Sequence, residues 1–456
     1  MIVKGILGVL LAVGASYHFV GPILLNDKPH AIPRLPEKNW GPAGVKEDTS
    51  IRPFKIDIPK NVIEDLKHRL SNTRDLTPPL EKTGWTYGIS GTYLKTVLDY
   101  WRNKYDWYKR QELLNKFPQF ITRIQGLDIH YIHAKPSTTV QNGKTLRILP
   151  LLLVHGWPGS IVEFQKIIPM LTTPRADADF VFEVIAPSLP GYGFSQGAVR
   201  PGLGHAQMGV IFKNLMTRLG FNKFYTQGGD WGSAITADIA ILFPERVLGS
   251  HLNMCWVSGG RAMFWQLLGS YFPSLVIEPE HASKFYPMSK HWSRTIEESG
   301  YFHIQATKPD TVGVGLNDSP AGLAAYILEK FSTWTNPEYR FREDGGLSEK
   351  FTLDELLDNI MVYWATNSIT TSIRLYAESF IAENRDKFDH LQSYVPTACA
   401  VSPHEILYIP KEIAKLRFKN LTQFNHLPRG GHFAAFEEPK TLSDDVWTFV
   451  KTLERA

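Results

Sequence analysis

The segment from Lys223 to Ser233 constrains the fold more than any other part of the chain. Its apolar beginning runs into Gly228-Gly229-Asp230-Trp231-Gly232, and a helix-like apolar run follows. A strand, a tight turn and a helix are therefore expected in direct succession. In the turn, a carboxylate stands between two glycines, which a crowded and strained backbone requires. The pattern alone also fits an ordinary turn capped by Asp, so other parts of the chain must decide.

The arrangement Gly228-x-Asp230-x-Gly232 has the form of the nucleophile elbow of α/β-hydrolases, with Asp in place of the usual Ser. The rest of the chain supports this interpretation, because strand-like apolar runs alternate with helical ones, and that alternation indicates a parallel sheet covered on both faces. The first two runs, on either side of Gln125-Gly126, predict a hairpin. Besides the run before Asp230, the predicted strands are residues 120–124, 127–133, 148–154, 180–186, 247–254, 395–401 and 421–425.

The sequence divides into an α/β-hydrolase core and three additions to it. Proline-rich and then helical residues precede the first strand, and we interpret them as a region that wraps the core. A stretch rich in Trp, Phe and Tyr interrupts the strand alternation and predicts an inserted helical cap. The predicted parts are a membrane anchor (1–25), the wrapping region (26–119), the first part of the core (120–255), the cap (256–363) and the second part of the core (364–456).

The anchor prediction depends on the segment from Gly5 to Leu25, which contains no Asp, Glu, Lys or Arg. As a helix, this segment would rise about 30 Å, the thickness of a bilayer core. A cleaved signal peptide is the alternative, but the apolar stretch continues past the small residues that could be its cleavage site. Basic residues after the segment favour a cytoplasmic location for the rest of the chain.

Composition excludes few functions. The formal net charge of +4 over 456 residues does not call for a nucleic-acid partner. Cys255 and Cys399 are the only cysteines, and neither lies in a metal-ligand pattern. They can form at most one disulfide, and so few cysteines suggest a reducing compartment or indifference to redox conditions. We expect neither a metal nor an organic cofactor, and the sequence does not indicate an oligomeric state.

Two further residues complete a candidate triad in the order nucleophile, acid, histidine. His432 follows the last predicted strand on a glycine-bounded loop, and His426 is its nearby competitor. Glu405 follows the preceding strand and is the expected orienting acid. Glu412 and Glu378 are the alternative acids, and His404 is interpreted as a bystander.

The loop after the strand 148–154 reads His155-Gly156-Trp157-Pro158. In this fold, that loop supplies a backbone N–H to the oxyanion hole, and the residue after the nucleophile supplies another. The backbone amides of Trp157 and Trp231 are therefore the predicted pair of donors.

An Asp nucleophile indicates displacement at saturated carbon. A Ser attacking such a carbon would form an ether that the enzyme could not hydrolyse, whereas Asp230 would form an ester whose carbonyl belongs to the protein. Activated water could then attack that carbonyl beside the oxyanion hole. Epoxide opening and dehalogenation are the reactions of this kind, and epoxide opening also needs an acid, for which a Tyr hydroxyl is suitable at neutral pH.

The chain resembles the microsomal epoxide hydrolase family over nearly its full length. The resemblance lies in four blocks, and it is strongest to the insect members that hydrolyse juvenile hormone, through residues 366–378. It implies that Tyr301 and Tyr376 protonate the epoxide oxygen. It also implies an endoplasmic reticulum (microsomal) membrane protein with a single span. The four blocks are residues 155–160, 228–233, 301–311 and 323–336.

The function expected from these observations is hydrolysis of a lipophilic epoxide to a diol, with juvenile hormone or xenobiotic epoxides as substrates. Haloalkane dehalogenase is the alternative enzyme, because it shares the Asp chemistry but uses halide-binding donors. A hormone carrier with the hydrolase fold is the non-catalytic alternative.

Overall fold

The computed structural model describes residues 31–380, 388 and 391–455, apart from residues 47 and 142. The predicted anchor, Gly5–Leu25, lies outside these residues. Within them, we find no helix with the length and apolar character needed to cross a bilayer.

A twisted sheet forms the centre of the molecule. Its order is β1-β2-β3-β7-β6-β8-β9-β10-β11, and the five pairings from β7 to β11 are parallel whereas β1, β2, β3 and β7 pair antiparallel. This arrangement confirms the predicted α/β-hydrolase sheet and its first hairpin. The strands are β1 (Arg52–Phe54), β2 (Gln119–Ile124), β3 (Leu127–Ala134), β4 (Val140–Gln141), β5 (Lys144–Thr145), β6 (Arg147–Val154), β7 (Phe180–Pro187), β8 (Phe224–Gly228), β9 (Val247–Leu252), β10 (Thr397–Val401) and β11 (Leu421–His426), of which β4 and β5 form a separate hairpin.

Helices cover the sheet and form the insertion. They are α1 (Lys60–Ser71), α2 (Gly91–Asn103), α3 (Trp107–Leu114), α4 (Ile167–Thr172), α5 (His205–Arg218), α6 (Trp231–Leu242), α7 (Gly260–Tyr271), α8 (Met288–Glu298), α9 (Gly300–Thr307), α10 (Pro309–Asp318), α11 (Pro320–Thr333), α12 (Leu353–Ala365), α13 (Ile369–Phe380), α14 (Lys411–Arg417), α15 (Ala434–Glu437) and α16 (Pro439–Glu454). Short 3-10 turns occupy Ile161–Phe164, Pro273–Leu275, Pro279–Lys284, Pro337–Phe341 and Leu347–Glu349.

The amino-terminal region packs on both the sheet and the insertion. Strand β1 adds to the sheet edge, and the backbone N–H of the buried Trp40 donates to the carbonyl of Gln125 at 2.8 Å. On the other side, the Tyr105 hydroxyl donates to the Asp358 carboxylate of α12 at 2.8 Å. The region therefore connects the core to the insertion.

Between β9 and β10, the described residues form helices and no strand. This is the position of the predicted cap, but its predicted end at residue 363 falls inside α12. That helix begins with a capping box, in which the Thr352 hydroxyl accepts the Glu355 N–H and the Glu355 carboxylate accepts the Thr352 N–H. Helix α13 follows before the sheet resumes, so helical structure extends past the predicted boundary.

The two cysteines form the one disulfide that the sequence permits. Cys255 follows β9 and Cys399 lies in the adjacent parallel strand β10, and their Cα atoms are 6.0 Å apart. The bond runs against the expectation of a reducing compartment, because disulfides persist mainly in oxidising ones.

Candidate active site

The turn between β8 and α6 holds Asp230 in an uncommon backbone conformation, with φ 50° and ψ −128°. The two glycines around it are required by close contacts. A Cβ on Gly228 would lie 2.3 Å from the Gly232 carbonyl oxygen, and a Cβ on Gly232 would lie 2.0 Å from that of Val154. Strain of this kind collects at functional sites, and it lifts the carboxylate above the carboxyl ends of the parallel strands.

His432 lies between two carboxylates. Its Nε2 is 3.2 Å from Asp230 Oδ2, and its Nδ1 is 2.6 Å from Glu405 Oε1. His432 and Glu405 are both buried. The structure thus brings together the three residues that the sequence singled out as nucleophile, base and orienting acid.

The loop that carries His432 is fixed by backbone contacts. The His432 N–H donates to the carbonyl of Trp334 at 3.0 Å. On either side, the amides of Gly431 and Phe433 donate to the two carboxylate oxygens of Glu437, at 2.6 and 2.9 Å. These bonds restrict how far the imidazole can move relative to Asp230.

The charges around His432 favour its protonated form. Burial lowers the pKa of His432, but Glu405 and Asp230 together outweigh burial and raise it well above 6.5. The resting site therefore holds an imidazolium beside the Asp230 side chain.

One of the two predicted oxyanion donors contacts the carboxylate. The Trp157 N–H donates to Asp230 Oδ1 at 2.7 Å. Trp231 is the first residue of α6, and the first amides of a helix have no partner within it. The Trp157 contact engages Oδ1, while His432 faces Oδ2.

Tyr301 of α9 and Tyr376 of α13 line the same cavity as Asp230, and their ring centroids lie 5.9 Å apart. The Tyr301 ring stacks on Trp157 at 5.5 Å, and the Tyr376 ring meets the edge of Trp231 at 4.9 Å. Burial, with Asp230 nearby, raises the pKa of Tyr301 well above 10, and burial, Tyr301 and Asp230 raise that of Tyr376 in the same way. Both hydroxyls remain protonated at neutral pH.

The cavity above Asp230 has a volume of about 320 Å³ and is largely apolar and aromatic. A cavity of this size with a mostly apolar surface is typical of a site for a small lipophilic molecule, and charged side chains such as Lys284, Arg294 and Glu298 also line it. The residues that line it include Asp230, Trp231, Tyr301, Phe302, Trp334 and Tyr376.

The competing residues lie elsewhere. Glu412 pairs with Lys415 at the surface, and Glu378 accepts the Gly202 N–H. His426 contacts the Tyr408 hydroxyl at 3.1 Å, and His404 is a half-buried residue of the loop after β10. None of the four contacts Asp230 or His432 among the described interactions. Among all the residues that the structure describes, there is no cluster of three or more His, Cys, Asp or Glu side chains that could bind a metal.

Two buried carboxyl groups near the site were missed by the sequence reasoning. Glu163 lies in the turn after the Trp157 loop and Glu437 lies in α15, and both are within the electrostatic range of His432. Charged side chains are seldom fully buried, so neither residue carried a signal beyond its nearness in sequence to a motif.

Comparison with known protein families identifies two matching models. The model described as "Epoxide hydrolase N terminus" matches residues 51–164, and the model described as "alpha/beta hydrolase fold" matches residues 150–294. "Juvenile hormone epoxide hydrolase 1" of Ctenocephalides felis is 55% identical over 414 residues, which are 90% of this chain and 88% of that protein. The chain belongs to the epoxide hydrolase family. This finding confirms the resemblance seen in the sequence.

Other epoxide hydrolases extend the similarity beyond insects and to solved structures. "Epoxide hydrolase 1" of Oryctolagus cuniculus is 48% identical over 94% of this chain and 95% of its own. The crystal structure of juvenile hormone epoxide hydrolase from the silkworm Bombyx mori has a TM-score of 0.90 at 50% identity, covering 92% of this chain and 99% of the silkworm one. The epoxide hydrolase fold is thus shared over the core and the insertion.

Proposed function

We propose that this chain hydrolyses lipophilic epoxides to diols through a covalent ester on Asp230. The observation that carries the proposal is the composition of one apolar cavity: a carboxylate nucleophile with a histidine behind it and two protonated tyrosines beside it. Membership of the epoxide hydrolase family gives independent support. A haloalkane dehalogenase would need halide donors and no tyrosine acids, and a carrier would need no triad.

In the first step, Asp230 Oδ2 attacks an epoxide carbon and the carbon–oxygen bond of the ring breaks. Tyr301 and Tyr376 donate hydrogen bonds to the departing oxygen, and one of them supplies its proton. The proton that His432 loses once Asp230 is esterified restores that tyrosine hydroxyl and leaves His432 neutral. The Trp157 contact with Oδ1 supports this assignment, because it leaves Oδ2 as the oxygen free of that amide. The oxygen held by Trp157 becomes the carbonyl oxygen of the ester.

In the second step, water attacks the ester carbonyl while His432 accepts its proton. Glu405 orients the imidazole and stabilises the imidazolium that forms. The amides of Trp157 and Trp231 stabilise the oxyanion, and one such donor is typically worth about 3–4 kcal/mol. The diol then leaves with the proton that His432 returns.

The His432→Gln variant tests whether His432 acts in hydrolysis of the ester and not in its formation. It should still form the ester, because Asp230 and the tyrosines remain, but should not hydrolyse it. Mass spectrometry of the intact protein would then show one added substrate per chain. His68→Gln is the matched control and should turn over normally, because His68 is an exposed residue of α1 that neither lines the cavity above Asp230 nor belongs to the triad. Loss of ester formation in His432→Gln would contradict the assignment.

We infer that juvenile hormone is the natural substrate, with detoxification of lipophilic epoxides as a second role. The support is the largely apolar cavity and the similarity to insect enzymes named for that hormone. A panel that compares kcat/KM for juvenile hormone and for aryl epoxides tests the inference. A preference for aryl epoxides would favour the detoxifying role.

We further propose that residues 1–25 anchor the protein in the endoplasmic reticulum membrane, with the catalytic body on the cytoplasmic side. The uncharged run Gly5–Leu25 and the basic residues after it support this topology, whereas the Cys255–Cys399 disulfide favours the lumen. Asn317 and Asn420 begin exposed Asn-x-Ser/Thr sequons, so their glycosylation distinguishes a lumenal from a cytoplasmic location. A cytoplasmic body would carry no glycan, and a mass shift on endoglycosidase treatment would contradict the proposal.

A further inference from the structure

A second, small cavity lies against Asp230. Its volume is about 20 Å³, enough for one water molecule, which needs roughly 10–15 Å³. Among the described residues, Asp230 is the only one that lines both this chamber and the large apolar cavity. The other polar side chains around the chamber are those of His155, Glu163, Gln227, Asn253 and His432.

The fold directs Glu163 into this chamber. The 3-10 turn Ile161–Phe164 that carries it begins at Ser160, whose hydroxyl accepts the Val162 N–H at 3.2 Å and donates to Asn359 Oδ1 at 2.7 Å. A Cβ on Gly159 would lie 1.5 Å from Glu163 Oε1. The glycine therefore leaves the room that the carboxyl group occupies.

The surroundings keep Glu163 neutral. Burial raises the pKa of Glu163 to about 8; the nearby His432 opposes this rise, whereas Asp230 and Glu437 add to it. At neutral pH, the side chain is thus a carboxylic acid whose carbonyl oxygen can accept a hydrogen bond. It does not compete with His432 as a base.

Hydrolysis of the ester sets a geometric requirement that this chamber meets. Attack on the Asp230 carbonyl carbon needs a water beside that carbon, with one O–H directed to His432 Nε2. The second O–H also needs an acceptor, since an unpaired buried donor would cost free energy. Glu163 and His432 both line the chamber.

We propose that Glu163 holds the hydrolytic water in this chamber, accepting a hydrogen bond from one O–H while His432 Nε2 accepts the other. The proposal rests on the covalent mechanism given above. The water oxygen bonds to Asp230 Cγ as its proton moves to His432 Nε2. The bond between Cγ and the diol oxygen then breaks, and the diol oxygen takes the proton from His432. The second proton of the water, left on the Asp230 carboxyl group, passes to His432 and restores the resting pair. Glu163 keeps its own proton throughout.

Glu163→Leu and Glu163→Gln, compared in single turnovers, test this role. Glu163→Leu removes the acceptor, so the ester should form at a rate within about twofold of wild type but decay about 10- to 100-fold more slowly. Both kcat and KM should fall. Glu163→Gln keeps a carbonyl acceptor and should restore most of the decay rate. The wild-type decay rate should show an inflection near pH 8, where Glu163 ionises, and Glu163→Gln should lack it because Gln does not titrate.

Two further variants serve as an alternative to Glu163→Leu and as a control. Gly159→Ala crowds the Glu163 carboxyl out of its place and should reproduce the slow decay of the ester, so it replaces Glu163→Leu if that variant does not fold. Glu183→Gln alters a carboxylate that pairs with His133 outside the site and should change neither step. Normal ester decay in Glu163→Leu, or an equal loss of both steps, would overturn the proposal. Absence of any ester in the wild-type enzyme would instead overturn the covalent mechanism itself.

Discussion

At the scale of single residues, the site changes its own basicity during the reaction. The Asp230 charge helps to raise the pKa of His432 in the resting enzyme. Esterification removes that charge, so the pKa of His432 must fall when the enzyme needs a neutral base. The nucleophile thus holds the base in its protonated form until the first step is complete.

The tyrosine pair provides the first prediction at this scale. Tyr301→Phe and Tyr376→Phe should each slow ester formation by about 10- to 100-fold, and the double variant should lose it nearly completely, because one hydroxyl still stabilises the departing oxygen in each single variant. Rapid-quench measurement of the ester gives these rates. A double variant no slower than the single ones would show that only one tyrosine acts.

The Glu405→Gln variant provides the second prediction at the scale of single residues. The Glu405 charge raises the pKa of His432, so its removal should lower that pKa. Ester decay requires neutral His432 and therefore increases as pH rises through this pKa. The inflection should move to lower pH in Glu405→Gln, and the plateau rate should fall because the imidazole loses its orienting partner. An inflection that moves to higher pH would contradict the assigned role.

At the scale of elements, the loop between β11 and α15 depends on Glu437. Its two carboxylate oxygens each accept one backbone N–H, from Gly431 and Phe433. Glu437→Gln leaves only one acceptor, so one buried amide would lose its partner at a cost of about 1–3 kcal/mol. We expect a lower free energy of unfolding in urea together with a reduced rate of ester decay. Unchanged stability would show that the loop does not depend on this contact.

The elements were predictable where periodicity and turn residues agree. The strand runs, the turn at Asp230 and the order of Asp230, Glu405 and His432 follow from such patterns, and the structure brings these residues together. Tyr301 and Tyr376 came only from family resemblance, because a tyrosine in an aromatic helix gives no sign of its direction. Glu163 was unpredictable, since its role depends on the space left by Gly159. The predicted end of the insertion, residue 363, falls inside α12, because the change in sequence pattern there does not coincide with the end of a helix.

At the scale of the whole molecule, the amino-terminal region holds the insertion in place through a partly buried ion pair. Arg110 of α3 binds Asp358 of α12, with Nη2 and Oδ2 2.5 Å apart, and Tyr105 donates to the same carboxylate. Burial raises the pKa of Asp358 to about 6, although Arg110 opposes the rise. Removing Arg110 would therefore leave the Asp358 carboxylate buried without a cation, which would lower the free energy of unfolding.

Arg110→Met should destabilise the protein by about 3–5 kcal/mol at neutral pH, because it leaves a buried charge unpaired. The loss should be smaller at pH 5, where Asp358 is mostly protonated and no longer needs a cation. Urea unfolding at the two pH values measures both effects. Lys109→Met, at the exposed neighbouring position, is the control and should change stability by less than about 0.5 kcal/mol. Equal losses at both pH values would contradict the role of Asp358.

The transient ester on Asp230 is tested most directly by a single turnover in ¹⁸O-labelled water with enzyme in excess over epoxide. The account predicts that the first diol contains no label, because its new oxygen comes from the Asp230 carboxylate. It also predicts that one ¹⁸O atom appears in the peptide containing Asp230. Label in the first diol, with none in that peptide, would mean that water attacks the epoxide directly and would contradict the account.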